Sequence, residues 1–195
     1  ITVKRKIQDA ANSNLTNLDL SNLNLNSLEF ISDAIGQLKS LESLNLSNNQ
    51  LETLPDAIFN LTGLKELDLS GNDSIQSLNL EQFKKLENLT ELKVDDNLKK
   101  SDDPNIQKAI KLVELRKKIN DWITTQKEGG VQEIHLETPK QKILEAFLQD
   151  SRILDLRGLG LKTLPDAIFD LTGLKELNLS GNQLPTLPDA IGQLK

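Results

Sequence analysis

The chain has 195 residues, with 23 Lys and Arg against 29 Asp and Glu, only 3% aromatics, and neither Cys nor Met. The net charge of −6 argues against a nucleic-acid binder, which needs a basic surface to displace counterions from phosphates. Without Cys there is no disulfide, thiolate metal site or cysteine nucleophile, and no run of about 18 apolar residues is present to span a bilayer. No signal-peptide pattern is visible either.

In chain order, TVKRKIQDA (Thr2–Ala10) reads as a short helix, and Leu15, Leu18, Leu20, Leu23, Leu25 and Leu28 open a leucine pattern. Leu41, Leu44, Leu46, Asn49, Leu51 and Leu54 spell LxxLxLxxNxLxxLP, and 23 residues later Leu64, Leu67, Leu69 and Asn72 begin it again. A less regular start reads Leu89, Leu92, Val94 and Asn97. The alternation of Leu44-x-Leu46 predicts a short strand with one buried face. After Pro55, DAIFNLTG predicts a helical or 3₁₀ return arc with Ile58 and Leu61 inward. Phe59 and Phe169 belong to such arcs as core residues, and Phe30 is expected to do the same in the longer arc of the first unit.

No single unit can bury its leucines alone, so the units must stack, with their strands forming a parallel sheet. The Asn has a separate reason. At a tight bend its amide satisfies backbone groups that would cost about 1–3 kcal/mol if buried unpaired. Asn49, Asn72, Asn97 and Asn182 are expected to form that ladder.

Leu98–Glu137 lacks the leucine spacing. LKKSDDP is a polar break, and Pro104 suits a first helical turn with Asp103 or Asp102 near the cap. Leu112, Leu115, Ile119 and Trp122 mark a helix stripe, flanked by Lys111, Arg116, Lys117 and Lys118 as a solvated basic face. Gly129-Gly130 ends it, and VQEIHLE alternates like a strand. TPKQKILEA (Thr138–Ala146) then predicts a helix with Ile143, Leu144, Phe147 and Leu148 on its apolar face.

The segment LPDAIFNLTGLKELDLSGN (Leu54–Asn72) returns as LPDAIFDLTGLKELNLSGN (Leu164–Asn182), 110 residues later and out of step with the 23-residue repeat. A second match explains this. At an offset of 136, LDLSNLNLNSL (Leu18–Leu28) falls on LDLRGLGLKTL (Leu154–Leu164), and the preceding helices fall on one another. Both segments carry Leu, at Leu23 and Leu159, where regular units carry the ladder Asn. A helix followed by an Asn-less unit suits the exposed end of a stack, so the sequence holds two starts.

These motifs resemble the leucine-rich repeat family, in the 23-residue LPxxIxxLxxLxxLxLSxN form of bacterial, Leptospira-like proteins and of Scribble-like and Roco proteins. The resemblance covers about Leu15–Asn97 and Arg152–Lys195. It implies an α/β fold, a curved leucine-rich repeat solenoid with a parallel sheet on the concave face and short helical or 3₁₀ arcs on the convex face. The expected organisation is a capping helix (1–14), a first array (15–97), a helical connector or cap (98–138), a second capping helix (139–151) and a second array (152–195) that reads as truncated. The central helix is expected to shield the open edge of the first array; the alternative makes 98–150 an insert in one continuous solenoid.

The resemblance also implies that the concave sheet binds another protein. With the family geometry, Asn17, Ser43, Glu66 and Glu91 stack in one column, Asp19, Asn45, Asp68 and Lys93 in the next, and Ser21, Ser47, Ser70 and Asp95 in a third. Glu176 and Asn178 hold the matching positions in the second array. The expected binding residues are therefore Asp19, Ser43, Asn45, Ser47, Glu66, Asp68, Ser70, Glu91, Lys93, Asp95, Glu176 and Asn178. The surface grows acidic around Glu66, Asp68, Glu91 and Asp95, which favours a partner with a basic surface.

No enzyme, metal or cofactor is expected in these residues. His135 has no triad setting and no second ligand, and reads as a polar residue on a strand-like edge. Asp95-Asp96 and Asp102-Asp103 lack EF-hand spacing and read as solvated surface or caps. A Roco protein needs GxxxxGK[ST], which is absent, and a leucine-rich-repeat ubiquitin ligase needs a cysteine. Two functions follow: a non-enzymatic interaction module of a bacterium, with a host protein among its expected partners, or a structural or regulatory repeat region of a larger enzyme whose catalytic domain lies elsewhere. Localisation and oligomeric state are not legible.

Overall fold

The computed structural model describes residues 3–194, in two compact units divided between Val113 and Glu114, inside one helix. In the first unit, helix α1 (Val3–Asn12) buries Ile7 and Ala10, whose spacing of three places them on one face. It contacts strand β1 (Asn17–Asp19) and helix α2 (Ser32–Ile35). The helix ends where Asn14 adopts a left-handed φ of 49°. The Ser13 N–H then donates to the Asp9 carbonyl and the Leu15 N–H to that of Ala10, each at 3.0 Å, which satisfies carbonyls the helix end would orphan.

Strands β1, β2 (Ser43–Asn45), β3 (Glu66–Asp68) and β4 (Glu91–Lys93) form a parallel sheet in chain order. Each is three residues long because the alternation lasts only that far. Leu18, Leu44, Leu67 and Leu92 lie in register. The chain returns through a 3₁₀ turn at Glu29–Ile31 running into α2, a 3₁₀ turn at Asp56–Asn60, and helix α3 (Leu80–Lys85). Ile58 and Leu61 of the second arc are fully buried, as their spacing predicts. Phe59 and Phe83, from the second and third arcs, meet edge-on at 5.5 Å between ring centres.

The ladder forms at three of its four expected positions. Asn49 Nδ2 donates to the carbonyls of Leu20 (2.9 Å) and Leu46 (2.8 Å), and its Oδ1 accepts from the N–H groups of Leu23 and Leu25. Asn72 repeats this with Leu46, Leu69 and Leu51, and Asn182 with Leu156, Leu179, Leu159 and Leu161. Asn97 does not. It is exposed within helix α4 (Asp96–Lys99), because the backbone coils into that helix just after Val94 and never makes the repeat bend. Phe30 also departs from expectation. It is 55% exposed, since the arc turns Leu28 and Ile31 inward on either side of it.

Helix α5 (Pro104–Glu128) is capped by Asp103, whose carboxylate accepts from the Asn105 N–H at 2.8 Å. The amide of Gln107 faces the carbonyls of Leu98, Lys99 and Ser101 at 3.2, 2.9 and 2.9 Å, tying the helix start to the end of α4. Leu112, Leu115, Ile119 and Trp122 are buried as the stripe predicts, and so is Arg116. The solvated basic face expected there excludes Arg116, because position 116 lies one helical turn from both Leu112 and Ile119.

In the second unit, the segment read as a strand at VQEIHLE forms none: Ile134–Glu137 open helix α6 (Ile134–Leu148), and Val131–Glu133 precede it. Two alternating positions are outweighed by the helical spacing of Leu136, Pro139, Ile143, Ala146 and Phe147, all buried. Pro139 falls just past the first turn, so its missing N–H removes only one backbone bond. Strands β5 (Ile153–Asp155) and β6 (Glu176–Asn178) form a separate two-stranded parallel sheet, with 3₁₀ turns at Asp166–Asp170 and Asp189–Gln193. Trp122 Nε1 and Gln126 Nε2 of α5 both donate to Thr163 Oγ1 at 2.9 Å, and Lys118 pairs with Asp170 at 2.6 Å.

The offset of 136 seen in the sequence recurs in the backbone. Left-handed residues pair as Asn14 with Asp150, Asn22 with Gly158, and Asn24 with Gly160. The bond closing α1, Leu15 N–H to Ala10, reappears after α6 as Ser151 N–H to Ala146 at 2.9 Å. Gly71 and Gly181 share a left-handed φ (70° and 69°) but not their surroundings. A Cβ on Gly71 would lie 2.4 Å from Asn48 Oδ1 and 3.0 Å from the Asn48 backbone, whereas on Gly181 the nearest atom is 3.5 Å away. Both Gly→Ala changes cost about 1–2 kcal/mol for the backbone conformation. Gly71→Ala is expected to lose clearly more than Gly181→Ala in urea unfolding, and equal losses would show that the clash relaxes freely.

Candidate protein-interaction surface

The strand register sets out the polar face. Asn17, Ser43, Glu66 and Glu91 are successive partners, as are Asp19, Asn45, Asp68 and Lys93. Six expected residues, Ser43, Asn45, Glu66, Asp68, Glu91 and Lys93, line a shallow depression of about 120 Å³ across β2, β3 and β4. Ser43 Oγ donates to Glu66 Oε2 at 3.2 Å, and Lys93 Nζ stands 3.6 Å from Asp68 Oδ2. In the second sheet Ile153 pairs with Glu176 and Asp155 with Asn178; this pair lies apart from that depression.

The second and third columns have structural work of their own. In every unit except that of β4, where the position is Lys93, the second-column side chain accepts from the N–H two residues on: Asp19 from Ser21, Asn45 from Ser47, Asp68 from Ser70, Asp155 from Arg157 and Asn178 from Ser180, at 2.9–3.1 Å. This local bond shapes the bend after each strand. The backbone bond from Ser21, followed by that residue's side-chain bond and the nearby Lys6, holds the Asp19 carboxyl below its ordinary range. Ser47 is buried. Asp95 spans two residues, taking the Gly71 N–H at 2.9 Å and the Asn72 N–H at 3.0 Å. Side chains left facing solvent without such a task are Glu66 and Lys93 in the first sheet and Glu176 in the second, with Glu91 half-buried. A repeated Asp or Asn two residues before Ser was the signal that could have separated bend-forming residues from free ones.

Sequence reading did not anticipate a larger groove in the second unit, of about 400 Å³, lined by Trp122, Gln126, Val131, His135, Leu136 and Leu161 among others. Its residues come from two helices and a bend, a grouping no local spacing announces. His135 lies exposed in the first turn of α6, not on a strand. Among the described residues no group of three or more His, Cys, Asp or Glu is placed to hold a metal ion, and no helix is long and apolar enough to cross a membrane.

A leucine rich repeat family profile matches residues 40–98 and another matches residues 173–194. Among solved structures, a leucine-rich repeat protein of Leptospira interrogans is 26% identical, with a TM-score of 0.43, and the alignment covers 100% of this chain and 38% of that one. Internalin C2 of Listeria monocytogenes is 16% identical, with a TM-score of 0.26, covering 92% of this chain and 77% of that one. No curated protein matches the chain. With parallel three-residue strands, short return arcs, an Asn ladder and leucine rich repeat profiles matched at residues 40–98 and 173–194, the chain is a leucine-rich repeat protein.

Proposed function

We propose that this chain is a non-enzymatic interaction module, of bacterial type by its repeat form, that takes a basic protein surface on the strand face of its first array. The observation that carries this reading is the depression across β2, β3 and β4, where Glu66, Asp68 and Glu91 face a single Lys93. Opposite charge across such a face accelerates encounter and fixes register more than it adds affinity. Asp19, Ser43, Asn45, Ser47, Ser70 and Asp95 shape the face, and Glu176 with Asn178 offer a smaller copy of it in the second array. Tyr, Trp and Arg, the residues that dominate most interface energies, are absent from these columns, so electrostatics must do more here than anchors.

An oligolysine peptide tests this, with anisotropy measured at low and raised salt. Glu66→Lys with Glu91→Lys is expected to weaken binding about tenfold or more at low salt. Glu52→Lys with Glu87→Lys changes net charge equally outside the strands and should weaken it far less. Equal losses from the two pairs would reduce the interaction to bulk charge and remove the assigned face.

A further inference from the structure

The groove of about 400 Å³ in the second unit is bounded by the turn from α5 into α6 and by the bends that follow β5 and β6. Its walls are tied in place. Trp122 Nε1 and Gln126 Nε2 both donate to Thr163 Oγ1 at 2.9 Å, which fixes the indole against the bend after β5. The Val131 N–H donates to the Gln126 carbonyl at 3.0 Å, where Gly130 turns the chain at a left-handed φ of 84°. The Gln183 N–H donates to the Leu161 carbonyl at 2.8 Å and joins the two bends. A cleft of this size, with an apolar floor and a few polar groups already in position, is the usual form of a small-molecule site.

The offset of 136 shows what opens one wall. The second start carries Gly158 and Gly160 where the first carries Asn22 and Asn24, all four in left-handed backbone. Gly160 lines the groove, and a Cβ added to it would meet nothing within 4 Å. The wall therefore stands one side chain short of its counterpart in the first array. In the same comparison Lys162 replaces Asn26.

The polar groups select the charge of the occupant. Among the described lining residues Lys162 carries the one permanent charge, and no carboxylate is present. Lys162 has no ion-pair partner among the described residues. Two acids near it in sequence are engaged elsewhere, Glu133 with Lys127 at 2.7 Å and Glu137 with Lys140 at 3.5 Å. Gln132 and His135 add further hydrogen-bond donors. Trp122, Leu136 and Leu161, all buried, form the apolar floor. In a chain of net charge −6, a cleft with one unanswered cation above such a floor is complementary to an anion on an apolar body.

We infer that this groove binds a small organic carboxylate with an apolar body, its carboxylate at Lys162 and its body against Trp122, Leu136 and Leu161. The site lies in the second unit and does not depend on the strand face proposed above.

Trp122 is the single tryptophan of the chain, so its fluorescence reports entry directly. The probe is 4-phenylbutanoate, titrated into the whole chain, with 4-phenylbutanamide as the uncharged control. A saturable change in emission is expected, and the amide should bind about tenfold more weakly, the loss of a charge-assisted contact. Lys162→Gln should weaken the acid about tenfold and leave the amide unchanged. Gly160→Asn, which left-handed backbone tolerates, should weaken acid and amide alike while far-UV circular dichroism stays the same. Absence of a saturable change, equal affinity for acid and amide, a Lys162→Gln chain that still prefers the acid, or undiminished binding by Gly160→Asn would each overturn the inference.

Discussion

Asn49→Ala is expected to be among the most damaging single changes to the first unit, at about 4 kcal/mol. The Asn49 amide satisfies four backbone groups, the carbonyls of Leu20 and Leu46 and the N–H groups of Leu23 and Leu25. Alanine leaves them in a dry interior, where each unpaired group costs roughly 1–3 kcal/mol and the sum falls below additivity as the bend relaxes. Asn97→Ala, at a position of the same sequence pattern, is expected to change stability by no more than about 0.5 kcal/mol. Trp122 lies in the second unit, so its fluorescence does not report on this site. Far-UV circular dichroism in urea, with hydrogen exchange at β1 and β2, reads the loss directly. A cost under about 1 kcal/mol for Asn49→Ala would mean that water enters the bend and replaces the amide.

Phe83→Ala should cost a similar amount, about 3–5 kcal/mol. Phe83 is fully buried in the third return arc, and its ring meets Phe59 edge-on. Truncation removes the transfer free energy of the ring and leaves a cavity between two arcs that their backbones hold apart. A double-mutant cycle with Phe59→Ala should return a coupling of about 0.5–1.5 kcal/mol, the share of the aromatic pair beyond simple burial. Strict additivity would show that the rings only fill space. Phe83→Leu should recover most of the loss, since it restores volume without the ring contact.

Much of the architecture could be read directly from residue spacing. Leu44-x-Leu46 announced a strand, and the recurrence of that pattern announced its parallel neighbours in the observed register. Ile58 and Leu61 announced the inner side of the arc. Of the candidate surface, the first two columns were legible as columns, because period-two alternation and a constant repeat length together fix which residues become neighbours. Their division of labour was not legible. Asp19, Asn45, Asp68 and Asn178 look like exposed binding residues in the sequence, yet each accepts the N–H two residues on and helps to shape its bend.

The misread positions share one cause. VQEIHLE offers two alternating apolar residues, but the burial of Leu136, Pro139, Ile143, Ala146 and Phe147 on one face decides for helix. Asn97 has the spacing of a ladder residue, but a ladder bond needs a following bend, and the chain enters α4 instead. Phe30 and Arg116 exchange their expected places because burial depends on which neighbouring residues face inward, not on residue type.

The sequence by itself determined the repeat, its stacking, the Asn ladder at Asn49, Asn72 and Asn182, and the match of segments at an offset of 136, because each depends on residues recurring at a constant separation along the chain. Only the tertiary structure decided what meets each bend. Gly71 and Gly181 sit in identical bends, yet a Cβ on the first would collide with Asn48 and on the second would have room. The local sequence sets the direction in which a backbone group points; whether anything waits there depends on the strand beside it.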